Sequence, residues 1–106
     1  MNQEFEKYDR KMEHYYDTEG LLTQYPSKRP MRIMALAKIA EKVETETIYT
    51  EKQINDIIKT SISFSDIELI RREMFQYKML NRLRDGSQYW VEQDWKENYH
   101  EYFRED

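Results

Sequence analysis

Residues 65–90 read SDIELIRREMFQYKMLNRLRDGSQYW, and this stretch decides the fold. Ser65 followed by Glu68 predicts a capping box at the start of a helix. Apolar residues then recur at steps of three and four, which predicts one buried helix face: Ile67, Ile70, Met74 and Tyr77. After this helix the period changes to that of a strand. The sequence therefore predicts a helix that passes directly into a β element.

The residues that follow are typical of a β-hairpin. Two short runs, 80–84 and 88–91, flank Asp85-Gly86, which is a strong signal for a tight turn. We expect Leu83 and Tyr89 to face the helices and Gly86 to take a left-handed backbone conformation. Arg82 and Arg84 alternate along the first run, so they are predicted to point to one side. Helix followed by hairpin is the end of a winged helix-turn-helix.

The residues before 65 predict the other elements of that order. Ser27 is a plausible helix cap, and Pro30 falls in the first turn, where proline is tolerated. An apolar stripe follows: Ile33, Leu36, Ala37, Ala40 and Val43. Ile48-Tyr49 predicts a very short strand, and Thr50 with Gln53 predicts a second capping box opening a helix. The fold class is therefore mainly α with a small β-hairpin (α+β), a winged helix-turn-helix with helical extensions at both ends.

The ends of the chain carry aromatic side chains at helical spacing. We divide the chain into an N-terminal helix and connector (1–25), a winged-helix domain (26–91) and a C-terminal aromatic helix (92–106). Two stripes are predicted: Phe5, Tyr8, Met12 and Tyr15 at one end, and Trp95, Tyr99, Tyr102 and Phe103 at the other. Because large exposed aromatic patches are unusual on soluble monomers, we expect a homodimer through these ends. An intrachain pairing of the two stripes is the alternative.

Composition excludes several classes of protein. The 106 residues include no cysteine, which removes disulfides, thiol catalysis and zinc–thiolate sites. No apolar run is long enough for a membrane span or a signal-peptide core, so we expect a cytoplasmic protein. The chain has no glycine-rich phosphate loop and no serine elbow, and Glu97-x-x-His100 occurs once, where a di-iron bundle needs two such motifs. We expect no enzyme activity, no cofactor and no metal.

The charge of the chain is unevenly distributed. The net charge is −4, yet residues 26–91 hold 12 Lys and Arg against 9 Asp and Glu, and both ends are acidic. Phosphate contacts supply most of the nonspecific affinity of proteins for nucleic acid. The mildly basic middle is therefore compatible with DNA binding, although typical DNA-binding domains are more basic.

Three runs of sequence resemble a small bacterial family known as domain of unknown function 2087. They are YPSKRPMRIMALAKIA, IYTEKQIND and LIRREMFQYKMLNRLRDGSQYW, and the likeness spans about residues 22–91. Lys78 stands where the family usually has glycine. Family members occur alone or fused to winged-helix regulators of the ArsR type, so the resemblance implies a winged-helix-like fold and a regulatory setting. It supplies no catalytic or binding residues.

Candidate DNA contacts fall in three places. The outer face of the helix that begins near Ser65 shows arginine and glutamine, which read base edges and bind phosphates. The hairpin carries arginines and a tip serine, and the start of the first predicted helix carries three cations that oppose the helix dipole. The candidates are Arg71, Arg72, Gln76, Arg82, Arg84, Ser87, Lys28, Arg29 and Arg32.

These regions of the sequence also allow other interpretations. Leu69 and Phe75 share the outer helix face, and an exposed apolar pair is typical of a protein contact. Charges on the hairpin can also protect an exposed sheet edge, and cations at a helix start can simply be solvated. The sequence thus predicts a winged-helix DNA-binding protein that acts in transcriptional regulation. The alternative is a winged-helix protein–protein interaction module that does not bind DNA.

Overall fold

The computed structural model describes residues 12–100 of the chain. Within these residues, a 3₁₀ turn at Glu13–Tyr15 precedes four α-helices and one antiparallel hairpin. In chain order they are α1 (Arg29–Ala40), α2 (Glu51–Lys59), α3 (Ile67–Gln76), β1 (Leu80–Arg82), β2 (Tyr89–Val91) and α4 (Trp95–Asn98). The protein is therefore mainly helical with a small sheet, which confirms the predicted α+β class.

The start of α2 follows the prediction, whereas the starts of α3 and α1 do not. Thr50 and Gln53 form both hydrogen bonds of a capping box. At α3 the cap is Asp66 instead of Ser65: its Oδ1 accepts the N–H of Leu69 at 3.1 Å. The prediction of a Ser65 capping box was wrong, because Asp66 provides a carboxylate acceptor one residue later, where the helix dipole favours negative charge.

α1 begins without any side-chain cap. The residue before its first turn is Lys28, whose side chain has no acceptor atom, so the prediction that Ser27 caps this helix was wrong. Pro30 lies in the first turn, as predicted, where its missing N–H leaves no helical hydrogen bond unmade. Seven residues of α1 are buried, and this helix is the centre of the core.

The passage from α3 into the hairpin is a tight helix C-terminus. Lys78 takes a left-handed conformation with a φ of 65°. Its N–H donates to the carbonyl of Phe75, and the N–H of Met79 donates to that of Met74, which is the Schellman pattern. Met79 and Met74 are both fully buried, so the reversal also closes an apolar contact. This turn sets the direction in which the hairpin leaves the helix.

The hairpin pairs in a register that decides which side chains face the helices. Leu80 lies opposite Val91, and Arg82 lies opposite Tyr89. Tyr49 adds a third segment through two backbone hydrogen bonds of 2.8 Å with Tyr89. The helix order and this bridge reproduce the order of elements that the sequence predicted.

The hairpin departs from the prediction at two residues, in the direction of Leu83 and in the strand assignment of Arg84. Leu83 is 40% exposed instead of buried, because Leu80 already occupies the inner face and Leu83, an odd number of residues later, points outward. Arg84 lies in the turn after β1 and not on a strand with Arg82. Gly86 has a φ of 77°, which confirms the left-handed turn.

The segments on either side of 26–91 pack on the same core. Met12, Leu22 and Trp95 are buried together with residues of α1, α2 and α3. Of the predicted C-terminal helix, the described residues contain only the short α4, while residues 101–106 lie outside them, as do residues 2–11 of the predicted N-terminal helix. No helix in the described range 12–100 has the length and apolar character that crossing a bilayer requires.

Candidate nucleic-acid interface

A groove of about 500 Å³ lies between the outer side of α3 and the tip of the hairpin. Four arginines line it together with two carboxylates and polar and aromatic side chains. They are Arg71, Arg72, Arg82, Arg84, Glu51, Asp85, Phe75, Gln76 and Tyr89, with Gly86 at the tip. The structure therefore brings together five of the residues that the sequence proposed for DNA contact.

Arg82 holds the hairpin against α3. Its guanidinium carbon lies 4.9 Å from the centroid of the Phe75 ring. Its Nη1 also donates to the carbonyls of Leu83 and Arg84, at 3.3 and 3.2 Å. A cation–π contact of this kind stabilises by about 0.5–1 kcal/mol at an exposed site. The contact fixes the guanidinium at the wall of the groove and partly covers Phe75.

Arg71 is an internal link between α2 and α3. Its side chain is only 12% exposed, and its Nη1 donates to Oδ1 of Asn55 at 2.6 Å. Carboxylates of Glu51 and Glu68 lie 3.8 and 3.7 Å from its Nη2. Tyr89 completes this cluster, because its hydroxyl donates to Oε1 of Glu51 at 3.2 Å. Arg71 thus joins the two helices and the hairpin, and its end group is occupied by contacts within the chain.

Tyr89 shows the effect of this packing on its acid–base properties. Burial raises the pKa of the Tyr89 hydroxyl, and the neighbouring Glu51 carboxylate raises it further, against the effect of Arg71. The hydroxyl is therefore a neutral donor throughout the physiological range.

Arg72 and Gln76 differ from Arg71 in being exposed. They are four residues apart on α3 and therefore lie one above the other on its outer face. Neither side chain makes a hydrogen bond or ion pair with any residue in the range 12–100. Both end groups are therefore available to a ligand, and both are of the types that read base edges in the major groove.

The tip of the hairpin presents a second cation. The Arg84 side chain is exposed and makes no hydrogen bond or ion pair within the described part of the chain. Next to it, the backbone N–H and the hydroxyl of Ser87 both donate to Oδ1 of Asp85, at 3.0 and 2.8 Å. These bonds hold the pKa of the Asp85 carboxyl below its usual range. Ser87 therefore serves the turn, and Arg84 is the free charge at the tip.

The cations at the start of α1 lie beside the C-terminal end of α3. Arg29 lies over the ring of Tyr77 at 5.0 Å, and Arg32 lies over the ring of Tyr25 at the same distance. Arg32 also donates through Nε to the carbonyl of Pro26 at 2.8 Å. Lys28 is exposed at the helix start. Aromatic rings therefore hold Arg29 and Arg32, whereas Lys28 is exposed.

We call Arg72 and Gln76 the exposed ridge of α3. Cations of the hairpin and cations at the start of α1 lie on opposite sides of this ridge. Phe75 faces Arg82 of the hairpin, and Tyr77 faces Arg29 of α1. Residues separated by two positions in a helix point about 200° apart around its axis, so these two contacts lie on opposite flanks of α3. Arg72 and Gln76 lie between them. A polyanion that contacted this ridge would have cations on both sides.

The apolar pair proposed for a protein contact does not form a continuous patch. Leu69 is half-buried. Phe75 is 38% exposed, and the guanidinium of Arg82 lies over its ring. The outer face of α3 is therefore more polar than the sequence suggested.

The terminal aromatic residues that the structure describes are used within the chain. Met12 is fully buried and Trp95 is 5% exposed. The hydroxyl of Tyr99 donates to the carbonyl of Tyr77, and its ring lies 6.4 Å from the Tyr77 ring. The interface assignment of Met12 and Trp95 was wrong, because the core of the monomer covers them, whereas that of the half-buried Tyr99 stays a prediction. Tyr8, Tyr102 and Phe103 lie outside the described residues, and the homodimer stays a prediction.

The sequence analysis missed an apolar surface on the outer face of the hairpin. Ile48 and Leu83 are the most exposed large apolar residues in the described range, at 56% and 40%. With the half-buried Trp90 they line one groove. The alternation of strand residues carried this signal, since placing Leu80 and Val91 inward puts Leu83 and Trp90 outward.

In residues 12–100, no group of His, Asp and Glu is placed to hold a metal ion.

Comparison with protein families identifies this chain over most of its length. A model described as "Uncharacterized protein conserved in bacteria (DUF2087)" matches residues 21–91. The chain belongs to the DUF2087 family. The matched range covers α1, α2, α3 and the hairpin, so both walls of the groove are part of the DUF2087 region. Comparisons with curated proteins and with solved structures find no match.

Proposed function

We propose that this DUF2087 protein binds double-stranded DNA as a winged-helix protein and acts in transcriptional regulation. The observation that carries the proposal is the exposed ridge of α3 between two groups of cations. Arg72 and Gln76 face solvent without partners in residues 12–100, and Arg84 at the hairpin tip is equally free. This is the distribution that a recognition helix and wing require.

Each part of the surface has a distinct role in the proposed complex. α3 enters the major groove, where Arg72 hydrogen-bonds a guanine and Gln76 an adenine. Arg84 at the hairpin tip contacts the phosphate backbone, with Arg82 beside it at the groove wall. Lys28 and Arg29 hold phosphates on the other side of α3. Phosphate contacts fix the register, and the helix reads the sequence.

The proposal is compatible with the acidic composition of the whole chain. The long-range potential of a protein with a net charge of −4 opposes approach to DNA, so the affinity must come from local contacts. Local contacts of this kind are strongly dependent on salt, since each neutralised phosphate releases counterions. We therefore expect weak nonspecific binding at physiological salt and measurable binding at low salt.

The test is fluorescence anisotropy with a labelled duplex of random sequence, over a series of salt concentrations. The wild type should bind with an affinity that falls steeply with salt. Arg84→Ala should reduce the magnitude of the slope by about 1, the value for one lost phosphate contact. Lys59→Ala is the matched control, because Lys59 is an exposed cation at the end of α2 away from Glu51 and the groove.

Two results would reject this function. One is no binding at low salt with protein at tens of micromolar. The other is an equal loss of affinity in Arg84→Ala and Lys59→Ala, which would mean that the contact has no defined site. The first result would favour the winged-helix protein–protein interaction module.

A further inference from the structure

The outer face of the hairpin carries an apolar strip that crosses all three paired segments. Tyr49 lies opposite Tyr89, which places Ile48 beside Trp90 on the other face of the sheet. Leu83 hydrogen-bonds to Gln88, two residues before Trp90, and points to the same side. We define Ile48, Leu83 and Trp90 as the outer strip.

The outer strip is open to solvent and lies in a groove. Its space is about 680 Å³, larger than that of the groove beside α3. Ile48 is more than half exposed. On the inner face, by contrast, Arg82 covers Phe75. A contiguous apolar surface with a polar rim is typical of a site that binds another protein.

The rim of this groove is acidic. The lining contains three carboxylates and no lysine or arginine: Glu46, Glu92 and Asp94. Gln93 donates its amide to Glu46 at 3.0 Å, and Asn81 donates its amide to Glu92. These donors are neutral, so the negative charges persist. The Asp94 side chain does not cap α4, and none of the three carboxylates makes an ion pair within residues 12–100.

We propose that the outer strip binds a segment of a partner protein in which an aromatic or branched aliphatic side chain is flanked by lysine or arginine. The apolar side chain covers Ile48 and Trp90, and the cations meet the three rim carboxylates. Charge complementarity selects this occupant. A second copy packed face to face would place carboxylates against carboxylates, and nucleic acid would be repelled.

This site goes beyond DNA binding and does not rest on it. The outer strip and the α3 ridge lie on opposite faces of the hairpin, so one chain can hold both ligands at once. A partner bound at the outer strip would contact the same β2 strand whose Tyr89 closes the groove beside α3. The hairpin is thus the element that both ligands share.

The test is selection from a phage-displayed library of random peptides on the nuclease-treated full-length protein. Selected clones should combine an aromatic or branched aliphatic residue with lysine or arginine. Binding of the selected peptides should weaken about tenfold or more in a Trp90→Thr variant, as expected when a central anchor is removed. Arg84→Ala is the matched control and should leave peptide binding unchanged, because Arg84 belongs to the other groove.

A second variant tests the charge complementarity without altering the apolar strip. Replacement of the rim carboxylates by Glu46→Gln, Glu92→Gln and Asp94→Asn should weaken the binding of the selected peptides and reduce its salt dependence. Three results would overturn the proposal. They are a library that yields no enriched clones, enrichment of acidic or uncharged peptides, and a dimer in sedimentation that Trp90→Thr converts to a monomer.

Discussion

The inner and outer faces of the hairpin differ in the charge and in the exposure of the side chains that they present. On the inner face, Tyr89 is buried, and the guanidinium of Arg82 lies over the ring of Phe75 and shields part of it from solvent. On the outer face, apolar groups remain open and the surrounding charges are negative. A small sheet can therefore present surfaces of opposite charge, because alternate residues point to opposite sides.

The largest difference between the faces should appear in stability. Tyr89→Ala removes a side chain that is 4% exposed and hydrogen-bonds Glu51, so it should lower the free energy of unfolding by about 3 kcal/mol. Leu83→Ala, on the outer face, should cost no more than about 0.5–1 kcal/mol. Thermal or urea melts measure both. Equal losses would mean that the two faces are equally packed and that the register of the hairpin is wrong.

The neighbouring arginines of α3 should separate stability from binding. Arg71→Ala leaves Asn55 without its donor and removes the cation beside Glu51, so it should lower the free energy of unfolding by about 2 kcal/mol. Arg72→Ala should leave the melt unchanged and weaken binding to duplex DNA about tenfold, the equivalent of one lost base contact. Urea melts and anisotropy on both variants check this. If Arg72→Ala unfolded the protein as readily as Arg71→Ala, the exposed ridge would not exist.

The turn at the tip of the hairpin should need Gly86 for its left-handed backbone conformation and not because a side chain would lack room there. Gly86→Val should destabilise by about 1–2 kcal/mol, because a β-branched residue is strained at a φ of 77°. The nearest atom that a new Cβ would meet is Oε1 of Glu51 at 3.8 Å, which is an ordinary contact. Gly86→Asn should therefore recover part of the loss. An unchanged melting temperature for the valine variant would contradict the turn.

The base of the hairpin should show the opposite and smallest effect. Lys78→Gly should raise the stability by about 0.5–1 kcal/mol, since glycine takes the left-handed conformation without the penalty that lysine carries. Lys78→Ala should be close to neutral, because alanine keeps the penalty. Chemical denaturation measures both. Destabilisation by Lys78→Gly would show that the lysine side chain supports the passage from α3 to β1.

Much of the fold was visible in the sequence because local signals agreed with one another. The Thr50–Gln53 capping box, the periodic faces of the helices and Asp85-Gly86 each describe a few neighbouring residues, and the structure confirms them. One failure lies where two neighbours can take the same role. Ser65 and Asp66 can both cap α3, and only the conformation of the chain before the helix decides between them.

The candidate site was predictable in its residues and less so in its geometry. Sequence grouped Arg71 with Arg72 as candidate DNA contacts, but the partners that bury Arg71 lie on α2 and could not be read from the neighbouring residues. The outer strip was not predicted because the direction of Leu83 depends on which residues of the first strand face the core, and the sequence pattern allowed either choice. Aromatic spacing at the ends could not distinguish an intrachain core from an interface, and Trp95 belongs to the core.

Nuclear magnetic resonance of the ¹⁵N-labelled protein with duplex DNA at low salt tests the division between the two faces most directly. Titration should shift the amide signals of residues 71–76, 82–87 and 28–32, and leave those of Ile48 and Trp90 in place. Saturable shifts confined to α3, the hairpin tip and the start of α1 are the predicted result. Shifts centred on Ile48 and Trp90, or no shifts at all, would contradict DNA binding through the α3 ridge.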